Sequence, residues 1–160
     1  MEPATTARQL LRHTLATLAY RAGKALRGAP ASFAEFSSGE KGRNPLQILA
    51  HMGDLFDWAL SISKGAETWN NSTPLPWDQE VERFFRAVQA FEGYLASDAP
   101  LACPAEKLFQ GPIADALTHT GQINMLRRMA GCPIKGENYF RAEITAGRVG
   151  IAQAAPGREF

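Results

Sequence analysis

The stretch GPIADALTHTGQINMLRRMAG, residues 111–131, decides the fold. Pro112 suits the first position of a helix, and Gly131 followed by Cys132 and Pro133 marks its stop. At about 100° per residue, Ile123, His119, Leu126, Asp115, Gln122 and Met129 fall on one side of this predicted helix. Thr120, Asn124, Arg127 and Arg128 fall on the other. A carboxylate, an imidazole and an amide therefore share a face with apolar residues. A lone carboxylate in an apolar seam is costly unless it is neutralised, paired or metal-bound, and Arg127 and Arg128 point the wrong way to pair with it. Asp115 and His119 are one turn apart, so their side chains can converge. Two readings stand for this helix alone. Asp115 is a first-turn acid favoured by the helix dipole, beside an ordinary core histidine, or the two are ligands of a metal ion.

Upstream, three more segments carry helical periodicity, and none shows sustained alternation. The first is predicted over about 5–27, with Leu11, Leu15, Leu18, Ala22 and Leu26 on one side. His13 shares the opposite side with Thr17, Tyr20 and Lys24, which predicts an exposed histidine that is not a ligand. The second is predicted over 45–64, with Asn44 as N-cap, Pro45 at the first position and Gly65 as the stop. The third covers 77–96, where Val81, Phe84, Val88, Phe91 and Leu95 keep the spacing of a bundle seam. A short helical turn is expected around residues 32–36, and long loops over 66–76 and 97–110. The Gly- and Ala-rich segment 132–160 has no clear period and reads as an ordered tail packed over the bundle. The chain is thus expected to be a single all-α domain over residues 1–160, a four-helix bundle with long connections. Such bundles often build metal sites between facing helices.

The second helix, through ILAHMGDLFDWAL, adds a third chelating residue. His51 lies inside its wide apolar arc, beside Trp58 and Ile62. Gln47 and Asp54 are close enough in sequence to orient its ring. A core histidine held by one hydrogen bond explains His51 by itself. It explains less well why three chelating side chains meet in one bundle, and His51, Asp115 and His119 are therefore the candidate metal ligands. Gln122 is the candidate to aim a substrate carbonyl or a bound nucleophile. Asp54 is either a proton acceptor beside the site or a solvated acid on the polar strip. Trp58 and Phe56 are candidate pocket walls, and Asn138 and Tyr139 a candidate lid.

The histidine of ILAHMGDLFDWAL, joined to the HxGQ of THTGQINMLRRMAG, resembles the DinB/YfiT-like superfamily of metal-dependent proteins. The similarity runs from the first helix to about Gly131. It implies an up-down-down-up four-helix bundle and a divalent metal, nickel or zinc in many cases, held by three histidines. Two of these correspond to His51 and His119, while the third falls on Asp115. A two-histidine, one-carboxylate set suits Zn²⁺ in hydrolases and Fe²⁺ in oxygenases. Relatives in the superfamily include thiol S-transferases and a maleylpyruvate isomerase. The resemblance therefore implies a small-molecule substrate, among them a low-molecular-weight thiol, attacked through an activated water or thiol. The alternative from another class is a non-catalytic metal- or ligand-binding bundle, assembling as a homodimer. The third is a metal-free bundle with a hydrogen-bonded Asp/His pair.

Bulk properties narrow the rest. The formal net charge is +1 and no Lys/Arg run stands out, which argues against a nucleic-acid partner. No apolar run approaches the ~20 residues of a membrane span, and residues 1–20 lack a signal-peptide layout, so a cytoplasmic protein is expected. Cys103 and Cys132, each followed by proline, read as free thiols in loops.

Overall fold

In the computed structural model, which describes residues 3–39 and 41–160, the chain is all-helical. Helix α1 spans Pro3–Leu26, α2 Pro45–Ser63 and α3 Trp77–Ala96; a fourth rod consists of α4 (Ala105–Leu108), a π turn (Phe109–Ile113) and α5 (Ala114–Met129). No strand occurs among the described residues; Glu137 and Glu159 form an isolated bridge. Helix α2 packs on α3 and α5, and α1 packs on the same two. The core between them is built from the leucines of α1, Leu49, Met52 and Phe56 of α2, Phe84, Val88 and Phe91 of α3, and Ile113 and Ile123 of the fourth rod.

The punctuation read from sequence does its work at α2. Asn44 Oδ1 accepts from the Gln47 amide at 2.8 Å while Gln47 Oε1 accepts from the Asn44 amide at 3.0 Å, a reciprocal capping box. This corrects the expectation that Gln47 orients His51, because its carbonyl oxygen is committed to the helix start. At the far end Gly65 takes φ 74°, in the left-handed region where a side chain is strained. Gly131 ends α5 in the same way at φ 76°.

The fourth rod starts earlier than predicted. Residues 105–113, expected as a loop followed by a helix opened by Pro112, already wind as helix, and Pro112 sits inside the π turn. Proline lacks an amide hydrogen and its ring crowds the preceding turn; a wider turn removes both conflicts.

Two helix faces also differ from expectation. Arg127, predicted outward, is buried: its Nη1 donates to the carbonyls of Ala25 and Arg27 and its Nε to that of Cys132. It thereby satisfies orphan carbonyls at the end of α1. Met129, two positions further and so about 200° around the helix, is 54% exposed instead of inward. Thr120 is buried too, its hydroxyl donating to the Ala116 carbonyl. On α1, His13 is exposed as expected, but Tyr20 and Lys24 on the same side are buried because Glu137 covers them. Its carboxylate accepts from Tyr20 Oη at 2.6 Å and Lys24 Nζ at 2.9 Å. Val149 joins the core from the same C-terminal segment. Both cysteines are free, and burial pushes the Cys103 thiol pKa up. No helix among the described residues is long and apolar enough to cross a membrane.

Candidate metal centre

Helix α2 brings His51, and α5 brings Asp115 and His119, to one place. One donor atom from each can be chosen so that all three lie within 4.8 Å of one another. Asp115 stands between the imidazoles: Oδ2 is 3.3 Å from His51 Nε2, and Oδ1 is 3.4 Å from His119 Nε2. Ligands about 2.0–2.1 Å from a tetrahedral ion are about 3.3–3.4 Å apart; each contact matches that chord through a different oxygen of Asp115, while one donor atom from each residue gives a set spread over as much as 4.8 Å. The rings meet edge to face with centroids 4.8 Å apart. His119 is buried, while the Asp115 side chain is 45% exposed. The carboxylate therefore sits at the rim of the bundle and not within its seam, which lessens its desolvation cost and leaves one side of the cluster open.

Proton placement separates the readings. Gln122, exposed on α5, presents Oε1 2.7 Å from His119 Nδ1. An amide oxygen only accepts, so Nδ1 carries the proton, and in the neutral ring Nε2 carries a lone pair. That lone pair faces an Asp115 oxygen, which is also an acceptor. A cation between the two resolves the clash. A metal-free hydrogen-bonded pair accounts for His51 and Asp115; to join His119 to the same carboxylate without a cation, its ring needs a second proton, on Nε2. Burial lowers the His51 pKa below its ordinary 6.5; Asp115 opposes this, and the charge of Arg43 and the His119 ring add to it. His51 is thus neutral at pH 7, the form a ligand requires. The donor set fits a divalent ion.

The other predicted site residues are placed as follows. Gln122 reaches the cluster only through His119. Asp54 is buried, which removes the solvated reading: its oxygens accept from the Ser72 amide (3.0 Å), the Ser72 hydroxyl (2.6 Å) and Arg83 Nη1 (3.1 Å). It anchors the loop after α2 to α3, and its oxygens are already occupied as acceptors. Phe56 is core. Trp58 lines a cleft of about 440 Å³ that also includes Asp115, Gly111 and Thr118. Asn138 and Tyr139 line neither cleft beside the cluster. Tyr139 instead packs edge-on against Tyr20 and beneath Arg21 on α1, so the expected lid is absent from the site.

Two participants were missed in sequence. Trp69, in the loop expected only as a turn-rich connection, stands edge-on to both His51 (5.6 Å) and Trp58 (5.7 Å) and walls the site. A tryptophan in a polar, proline-rich loop was the available signal, since such a side chain seeks apolar cover. Arg83 was the second. It joins Asp54 and Glu80 and donates Nη2 to the Ala50 carbonyl, one residue before His51. No protein-family model, curated protein or solved structure matches the chain.

Proposed function

We propose that the chain is a divalent-metal-dependent enzyme of the DinB-like type, a transferase or hydrolase acting on a small molecule. The observation that carries this reading is the His51–Asp115–His119 cluster on two facing helices, open on one side. A zinc, nickel or iron ion held there supplies Lewis acidity at an open position, enough to bring a water to a pKa of about 7 on zinc or to hold a small thiol as thiolate. The chain's own groups prepare the site. Gln122 fixes the His119 tautomer so that Nε2 is the donor. Trp69 stands edge-on against His51, and Trp58 edge-on against Trp69, so the two indoles flank one side of the cluster. Asp54 and Arg83 hold the loop that carries Trp69 and Ser72 against α2.

The family reading extends to an up-down-down-up order of helices. It is supported by Arg83 and Tyr94 of α3 reaching, in that order, Asp54 and Ser63 of α2. It is supported equally by Arg12 of α1 meeting Glu92 near the far end of α3.

Metal content decides the proposal. The untagged full-length protein and its His51→Ala and Asp115→Ala variants are purified in parallel and analysed for zinc, nickel and iron. The proposal expects about one ion per wild-type chain and loss in both variants; equal content in all three rejects it.

A further inference from the structure

A second cleft, of about 360 Å³, opens from His51 toward the start of α2 and lies at the small end of the range for ligand pockets. Its polar lining consists almost wholly of hydrogen-bond donors. Lys41 and Arg43 are exposed and have no ion-pair partner among the described residues. Gln47 has spent its carbonyl oxygen on the Asn44 amide, which leaves its NH₂. Asn71 has spent its own on Trp69 Nε1 at 3.1 Å, with the same result. The acid in the wall, Asp54, pairs with Arg83, which it shares with Asp57 and Glu80, and its oxygens are occupied as acceptors by Ser72. Helix α2 begins here with no acidic residue in its first turn, so the positive end of its dipole is uncompensated.

We propose that this cleft binds the oxyanion end, carboxylate or phosphate, of the substrate, with Lys41 and Arg43 as its charge partners and the Gln47 and Asn71 amides as further donors. A bound oxyanion supplies the acceptors that the lining lacks, and it directs the rest of the molecule toward His51. That the anion belongs to a substrate rests on the metal-site reading; that the cleft takes an anion does not.

The test uses isotope-labelled full-length protein, with and without stoichiometric zinc, titrated with succinate, inorganic phosphate or neutral succinamide. The amide signals of Gly42, Arg43, Gln47 and Asn71 are expected to shift with succinate or phosphate and not with succinamide. The stronger of the two identifies the oxyanion as carboxylate or phosphate. The double variant Lys41→Gln, Arg43→Gln lies in an exposed loop. It is expected to weaken the anion roughly tenfold or more, the loss of two charge-assisted contacts, with zinc content unchanged. Anions that bind the double variant as tightly as wild type, or that leave these signals unmoved, overturn the proposal. Loss of metal binding would be read separately, in the zinc content, and would leave the cleft an anion site that serves no metal-dependent reaction.

Discussion

His119 donates its Nδ1–H to Gln122 Oε1 across 2.7 Å, and this one bond decides which nitrogen of the ring faces Asp115 and His51. Removing it frees the ring to rotate and to change tautomer. Gln122→Ala is expected to lower zinc affinity about 10- to 100-fold, measured by competition with a chromophoric chelator. The melting temperature of the metal-free protein should stay at the wild-type value, because Gln122 is exposed. An unchanged zinc affinity would leave the hydrogen bond without a role at the centre.

The carboxylate position accepts a third imidazole. Asp115→His is expected to keep one zinc per chain, whereas Asp115→Ala loses it, since Asp115 sits at the open rim where a larger ring has room. Zinc at about 100 times its dissociation constant should stabilise the wild type by about 2.7 kcal/mol. Thermal unfolding with and without zinc checks this, and the Asp115→Ala variant should show no such gain.

Arg83 ties together Asp54, Asp57 and Glu80, three acids with no other cation in an ion pair among the described residues. Glu80 and Asp54 are both buried against it, and Glu80 is fully enclosed. Burial alone pulls the Arg83 pKa down, but the hydrogen bond and charge of Glu80, with Asp54 behind it, raise it overall. Arg83→Met should therefore cost about 3–5 kcal/mol, the usual penalty for leaving buried acids unpaired, read by urea denaturation. Gly53→Ala tests the same network sterically, because an added Cβ would lie 2.9 Å from the Arg83 guanidinium carbon. The pinned guanidinium cannot yield freely, and a smaller loss of about 1–3 kcal/mol is expected.

Glu137 gives the fold an acid-sensitive clasp. Burial raises its pKa, but the Tyr20 hydroxyl and the Lys24 ammonium outweigh that and hold it below its ordinary 4.5. The unfolded chain then takes up this proton first as the pH drops. The contribution is whole above pH 4.5 and drains away as pH falls through the lower folded value. Stability measured against pH should decline more shallowly below pH 4.5 in Glu137→Gln than in wild type.

Much of this arrangement was legible in the sequence, and the parts that were not share a cause. Asn44, Pro45, Gly65 and Gly131 set helix ends through local chemistry that acts within a few residues, so α2 and the end of α5 fell where the punctuation put them. His51, Asp115 and His119 were visible as polar residues on apolar arcs, and they come together as expected. Arg127, Tyr20 and Lys24 were misplaced because each is buried through a partner distant in sequence: the end of α1 for Arg127, and Glu137 for the other two. Helical periodicity assigns polar residues outward and contains no record of such partners. Asp54 was ambiguous for the same reason, since its Arg83 comes from another helix. Trp69 lay in a loop where no period exists to place it.

The wide winding at Phe109–Ile113 has a consequence for how the donors are aimed. Each residue advances a regular helix by about 100°, so a segment that absorbs an extra one acts as a phase shifter between two otherwise rigid shafts. Leu108 before it stays locked in the hydrophobic interior, while Asp115 and His119 after it are swung toward α2. Shortening that segment by a single amino acid would leave the composition of the centre intact and turn its acid and imidazole away from His51.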